Sequence, residues 1–154
     1  MTRLGVLGGS FDPVHLGHLW IAPFAREQLS LDCVLFVPAG VPPHKGPGTV
    51  APYTFRRDLL KRALQPHARF AVSEIESDET HPSFTVDTLR RIRAGLAAGD
   101  ELWLLLGTDS VDDLPQWRDP EEILRLTGLA IYGRPGHETA VPPGARVQWI
   151  SGPA

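Results

Sequence analysis

Short apolar runs of strand length recur along the chain at 4–8, 33–38, 69–75, 102–107, 129–133 and 146–150. Several are continuous rather than alternating, which suits strands buried on both faces of a parallel sheet. Between them the apolar positions switch to helical spacing. The segment 17–29 places Leu19, Phe24 and Leu29 near one side; 53–64 groups Phe55, Leu59, Leu60 and Leu64; 85–96 groups Val86, Leu89, Ile92 and Leu96. A fourth helix is expected over 119–126, where Asp119 is a good N-cap, Pro120 fits the first helical position and Glu122 can close a capping box. Pro23 falls inside the first helical pattern and should remove a hydrogen bond and bend it.

Alternating strands and helices predict an α/β domain: a doubly wound, mostly parallel sheet with helices on both faces. Ligands of such sheets bind beyond the carboxyl ends of the strands. That directs attention to 8–18, 38–46, 75–85, 107–117 and 133–137.

Composition changes this picture little. A chain of 154 residues, 42% hydrophobic and 21% charged, is expected to form one domain with a real core. The net charge of -3 gives no argument for nucleic acid or membrane as partners. The sign is uneven, with 8 basic and 6 acidic residues over 1–77 and 7 and 12 over 78–154. Arg56, Arg57, Lys61 and Arg62 supply much of the basic excess; such a cluster can attract an anion, but a solvated helix face is the expected reading. Cys33 alone makes neither an internal disulfide nor a structural zinc site, and is expected as an inert thiol in a buried strand. No apolar run approaches a membrane span of about 20 residues, and the N-terminus does not read as a signal peptide. A reducing cytoplasm is the expected location. Trp20, Trp103 and Trp149 are expected to pack in the core.

The first loop, "GGSFDPVHLGH" (8–18), leaves a strand through Gly8 and Gly9, turns at Asp12-Pro13 and enters a helix near His15. Bare backbone and helix-start N–H groups suit a phosphate. The Walker A and G-x-G-x-x-G patterns are both absent. Zinc held by His15 and His18 with His44 or Asp12 is a rival reading, but no H-E-x-x-H or Cys pair accompanies them.

This loop resembles the (H/T)-x-G-H signature of the nucleotidyltransferase superfamily. Its long context is similar to the bacterial nicotinate-nucleotide adenylyltransferases, as are "VPAGVPPHK" (37–45), "SFTVDTL" (83–89), "LLGTDSVDDLPQW" (105–117) and "GRPG" (133–136), in that order. The resemblance implies a Rossmann-like fold and a reaction in which the phosphate of nicotinate mononucleotide attacks the α-phosphorus of ATP. Pyrophosphate leaves, and the product is the dinucleotide precursor of NAD. It implies His15, His18 and Lys45 as the catalytic phosphate-binding groups. Gly8, Gly9, Ser10, Phe11, Gly17, Gly107 and Asp109 would form the ATP side, and Thr85, Trp117 and Arg134 the mononucleotide side. Mg²⁺ would arrive with ATP, with no metal held by the protein. The helix start disfavours the imidazolium forms of the two histidines and ATP favours them, so both protonation states stay open. Plainer roles also stay open: N-caps for Asp109 and Thr85, core packing for Trp117, surface positions for Lys45 and Arg134.

One segment departs from the resemblance. The family continues from the last strand into an I-S-S-T-x-x-R type motif, where this sequence reads "ISGPA". The expectation is therefore a single domain over 1–154 that lacks its C-terminal segment. Competing readings are an adenylyltransferase for nicotinamide mononucleotide or phosphopantetheine, and a nucleotide-binding module without catalysis. The pattern also leaves room for a homo-oligomer.

Overall fold

The computed structural model describes residues 1–9, 11, 16–41, 51–133 and 140–151, with the side chains of 16–19 outside that description. Among these residues, six parallel strands form one sheet: β1 (Arg3–Gly9), β2 (Cys33–Pro38), β3 (Phe70–Val72), β4 (Glu101–Gly107), β5 (Gly128–Tyr132) and β6 (Val147–Trp149). Their order is β3-β2-β1-β4-β5-β6, every pairing is parallel, and the mostly parallel expectation becomes an all-parallel sheet. The helices are α1 (Leu16–Leu29), α2 (Tyr53–Leu64), α3 (Thr85–Ala94), α4 (Thr108–Asp113) and α5 (Pro120–Leu126), with a 3-10 turn at Leu114–Gln116.

The continuous apolar runs separate into two core layers by the two-residue period of a strand. Leu102, Leu104 and Leu106 of β4 face α3 and α5 together with Leu4, Val6, Leu129 and Ile131. Trp103 and Leu105 face the opposite way, with Leu7, Phe36 and Ala130, toward α1 and α2. Both faces of the central strands are therefore dry, which explains why β4 reads "ELWLLLG" without alternation.

Several local expectations are corrected. β3 is shorter than 69–75: after Val72 the Ser73 N–H still donates to Phe36 O, and the chain then turns at Glu74–Ser77. On α2 the buried stripe is Tyr53, Arg56, Leu60 and Leu64, while Phe55 and Leu59 are exposed. That stripe contains a charged residue, so hydrophobicity alone rotates it by about one position. Arg56 is accordingly not part of a solvated face; it is 1% exposed. Arg57 and Lys61 do lie outward, where both pair with Glu74.

Asp119 precedes α5 with a left-handed backbone (φ 47°) and no side-chain capping bond. Glu122 does not close a capping box but pairs with Arg125 and Arg90. Trp103 is buried as expected, whereas Trp20 and Trp149 are exposed. α1 runs through Pro23, which sits on its exposed side. Cys33 is half-buried rather than fully buried, and burial raises its pKa, keeping it a thiol.

Candidate active site

The strand order reverses between β1 and β4. They pair only from Arg3–Glu101 to Val6–Leu104. Beyond that, β1 stays with β2 up to Gly9–Pro38, and β4 stays with β5 up to Gly107–Tyr132. The last three residues of each strand thus part company, and a crevice opens between them at the carboxyl end of the sheet.

Gly8 and Gly9 line this opening and are exposed. Among the described residues, a Cβ at either would meet only ordinary contacts, at 3.8 Å and beyond. Nothing described in the chain demands glycine there, and bare backbone is what a closely approaching ligand needs. The wall behind them is firm. Ala39 N–H donates to Gly9 O, and Arg56 Nη1 donates to Ala39 O at 2.7 Å. Arg56 also bonds Gly40 O and Ala51 O, so one buried guanidinium joins the chain on both sides of 41–50.

Phe11 follows with a left-handed backbone (φ 50°) and a side chain that is 1% exposed, packed against Phe36. Such a conformation costs on the order of 1–3 kcal/mol and persists where the surroundings enforce it. The Phe11 ring is an anchor, buried against Phe36. α1 begins at Leu16, so Gly17 and the backbone of His18 occupy its first turn. Ser10, His15, Lys45 and Arg134 lie outside the described residues, as do the side chain of His18 and the rival ligands Asp12 and His44.

Across the crevice, Gly107 is the residue that caps α4, and Asp109 stands exposed in the first turn. No side chain makes the capping bond, so the N-cap role considered for Asp109 falls to Gly107. Thr85 opens α3, behind Phe84 at the cap position. Asp87 and Thr88 N–H both reach Phe84 O, which leaves the Thr85 and Val86 N–H groups unused by the helix.

Trp117 follows the 3-10 turn, half-buried against the α3–α5 core layer. Next to it, the Arg118 guanidinium lies 3.6 Å from the centre of the Phe84 ring. This cation–π contact brings the Trp117 segment against the start of α3, so two segments about 30 residues apart in sequence meet at one place. Arg118, Arg56 and Glu76 were not anticipated as parts of the site. The helical period from Tyr53 to Leu60 could have revealed Arg56; the other two depend on tertiary contacts.

Glu76, in the β3–α3 connection, accepts a 2.6 Å hydrogen bond from Thr88 Oγ1. Burial pushes its carboxyl upward, against the lowering effect of the Thr88 and Ser83 hydroxyls and the Arg91 charge. Among the described residues no three His, Cys, Asp or Glu side chains group as a metal site. No described helix is long and apolar enough to cross a membrane.

Comparison with known proteins gives a consistent set of relatives. A family model described as cytidylyltransferase-like matches residues 6–153. A probable nicotinate-nucleotide adenylyltransferase of Chromobacterium violaceum is 44% identical over 149 residues, covering 96% of this chain and 70% of the relative. One of Thermomicrobium roseum is 44% identical over 138 residues, covering 90% and 64%. The chain thus spans roughly two thirds of the length of these relatives. In fold, it is similar to the Plasmodium falciparum nicotinic acid mononucleotide adenylyltransferase complexed with NaAD. The TM-score is 0.80 at 16% identity, covering 97% of this chain and 76% of that one.

Proposed function

The chain belongs to the cytidylyltransferase-like family and, within it, to the nicotinate-nucleotide adenylyltransferases, and we propose that it transfers AMP from ATP to nicotinate mononucleotide, forming nicotinate adenine dinucleotide. The observation that carries this reading is the parting of β1 and β4 at Gly8–Gly9 and Gly107. It offers exposed backbone at the switch point, and the Thr85 and Trp117 segments meet each other through Arg118 and Phe84.

In this reaction an oxygen of the mononucleotide phosphate forms a bond to the α-phosphorus of ATP. The bond from that phosphorus to the bridging oxygen breaks, and pyrophosphate carries away the electron pair. Both reactants are anions, so catalysis consists of in-line placement and neutralisation of charge rather than covalent chemistry by the protein. His15, His18 and Lys45 would donate to the phosphates where that charge builds up. Gly8, Gly9, Gly17 and the backbones of Ser10 and Phe11 would let the nucleotide lie close. Asp109, freed from capping, would bond the ribose hydroxyls. On the other side, Trp117 would stack on the pyridine ring, and the spare N–H groups at Thr85 would receive its carboxylate. Arg134 would meet the mononucleotide phosphate. Mg²⁺ enters as part of the substrate MgATP. A reducing cytoplasm suits the free thiol of Cys33.

The test is pyrophosphate release from MgATP with nicotinate mononucleotide, nicotinamide mononucleotide or phosphopantetheine. Turnover is expected with the first and far less with the others. ATP binding without pyrophosphate from any acceptor would make the chain a nucleotide-binding module and overturn the reading.

A further inference from the structure

Resting on that reading, we propose that Glu76 is a positioning residue for the mononucleotide: it fixes the first turn of α3 from the side, leaving the turn's backbone donors free for the acid group. An ordinary N-cap would supply a side-chain oxygen to the N–H groups at a helix start and so occupy them. α3 has no such cap, because Phe84 stands at that position and makes no side-chain bond. The restraint comes instead from outside the helix. Glu76 Oε2 accepts from Thr88 Oγ1 at 2.6 Å, one turn into α3, and just before the helix the Ser83 N–H is held by Val41 O. Residues 83 and 88 bracket the Thr85 and Val86 N–H groups.

Glu76 is itself held at both ends. Its carbonyl oxygen closes over Gly40, where an added Cβ would lie 2.3 Å away. Gly40 is in turn bonded by the buried Arg56. The carboxylate therefore ties the start of α3 to the rigid end of β2 rather than to a loose loop.

The experiment is a comparison of the full chain with Glu76→Ala and Glu76→Gln, measuring KM for each substrate with the other saturating. Glu76→Ala should raise KM for nicotinate mononucleotide by about tenfold or more, since the Thr88 hydroxyl loses its acceptor and the turn its tie. KM for ATP should stay within about twofold, because the ATP side does not depend on this turn. Glu76→Gln keeps one acceptor oxygen and should recover most of the loss. Thr88→Val, which preserves shape, should give the same selective effect in smaller measure and serves if Glu76→Ala does not fold. An active wild type whose variants change both KM values equally, or neither, would overturn the role of Glu76 alone. A wild type that turns over no mononucleotide would overturn the functional reading beneath it.

Discussion

Gly9 and Gly40 lie on either side of Ala39, joined through it, yet they are glycines for opposite reasons. At Gly40 an added Cβ would fall 2.2 Å from Asp78 O and 2.3 Å from Glu76 O, both backbone atoms that cannot swing aside. At Gly9 the nearest described atom is on the Phe11 ring at 3.8 Å, and the position is exposed. The first glycine satisfies the fold: two connections at the carboxyl end of the sheet must touch. The second satisfies nothing described in the fold. With no described contact requiring glycine there, the exposed backbone of Gly9 suits a ligand that approaches closely. The crevice where β1 leaves β4 is where such a ligand would lie.

The ligand side of this contrast should fail hardest at His18. His18→Ala is expected to lower kcat by about 10²–10³, the cost of one well-placed donor to developing charge, with Tm unchanged. A near-normal kcat would remove the histidine from the proposed chemistry. The fold side should fail at Gly40. Gly40→Ala forces two backbone segments apart and should destabilise by about 3 kcal/mol, as overpacking in a tight core does. Chemical denaturation would measure this, and a change under about 0.5 kcal/mol, as for an ordinary surface substitution, would mean the two connections move easily. Gly9→Ala should show the converse pattern. Its stability should stay within about 0.5 kcal/mol, while KM for ATP rises several-fold. If Gly9→Ala instead unfolds the chain at normal KM, the two glycines are alike and the contrast is lost.

The sheet was legible because its evidence is local. A run such as "LWLLLG" cannot be half-exposed, and the alternation with helical stretches leaves few arrangements other than a doubly wound sheet. The first-loop glycines were legible as a motif, and their location at the end of β1 follows from the topology, whereas the Thr85 and Trp117 segments lie beyond β3 and α4 and meet only through the Arg118–Phe84 contact. What escaped was chemistry that crosses the fold. Arg56 looks like a member of a basic surface run, because its acceptors, Ala39 O and Gly40 O, are carbonyls that no sequence pattern marks. Glu76 sits in "SEIESDET", which spans the end of the expected strand and the start of the following loop, and nothing in the sequence singles out one of its carboxyls. The bond of Glu76 to Thr88 comes from the tertiary approach of α3, which no local pattern marks. Asp119 shows the reverse error: a good local capping signal is overridden when the chain enters α5 from a left-handed turn.

The smallest effect tests how firm the wall over Gly40 is. Asp78 contributes one of the two oxygens of that wall, and its exposed carboxylate closes the local turn. It accepts from Thr80 Oγ1 and Thr80 N–H, with His81 beside it, and these hold its pKa at about 2, below the ordinary 3.8. A carboxyl depressed in the folded state stabilises it above the unfolded value, and that contribution fades as pH falls toward the folded value. Asp78→Asn should therefore lower Tm slightly at neutral pH. Its difference from wild type should shrink between pH 3.8 and about 2 and vanish below. A difference independent of pH would assign the effect to something other than the carboxylate. The turn and the wall share residue 78, so the two substitutions should also couple. With the turn loosened, Asp78 O can yield to a Cβ at Gly40, and Gly40→Ala should cost less in the Asp78→Asn background than in the wild type. Strict additivity would mean that the wall is held by the Glu76 carbonyl, with Glu76 anchored to α3 through its side-chain carboxyl, which would place the rigidity of this corner on the same residue that positions the mononucleotide.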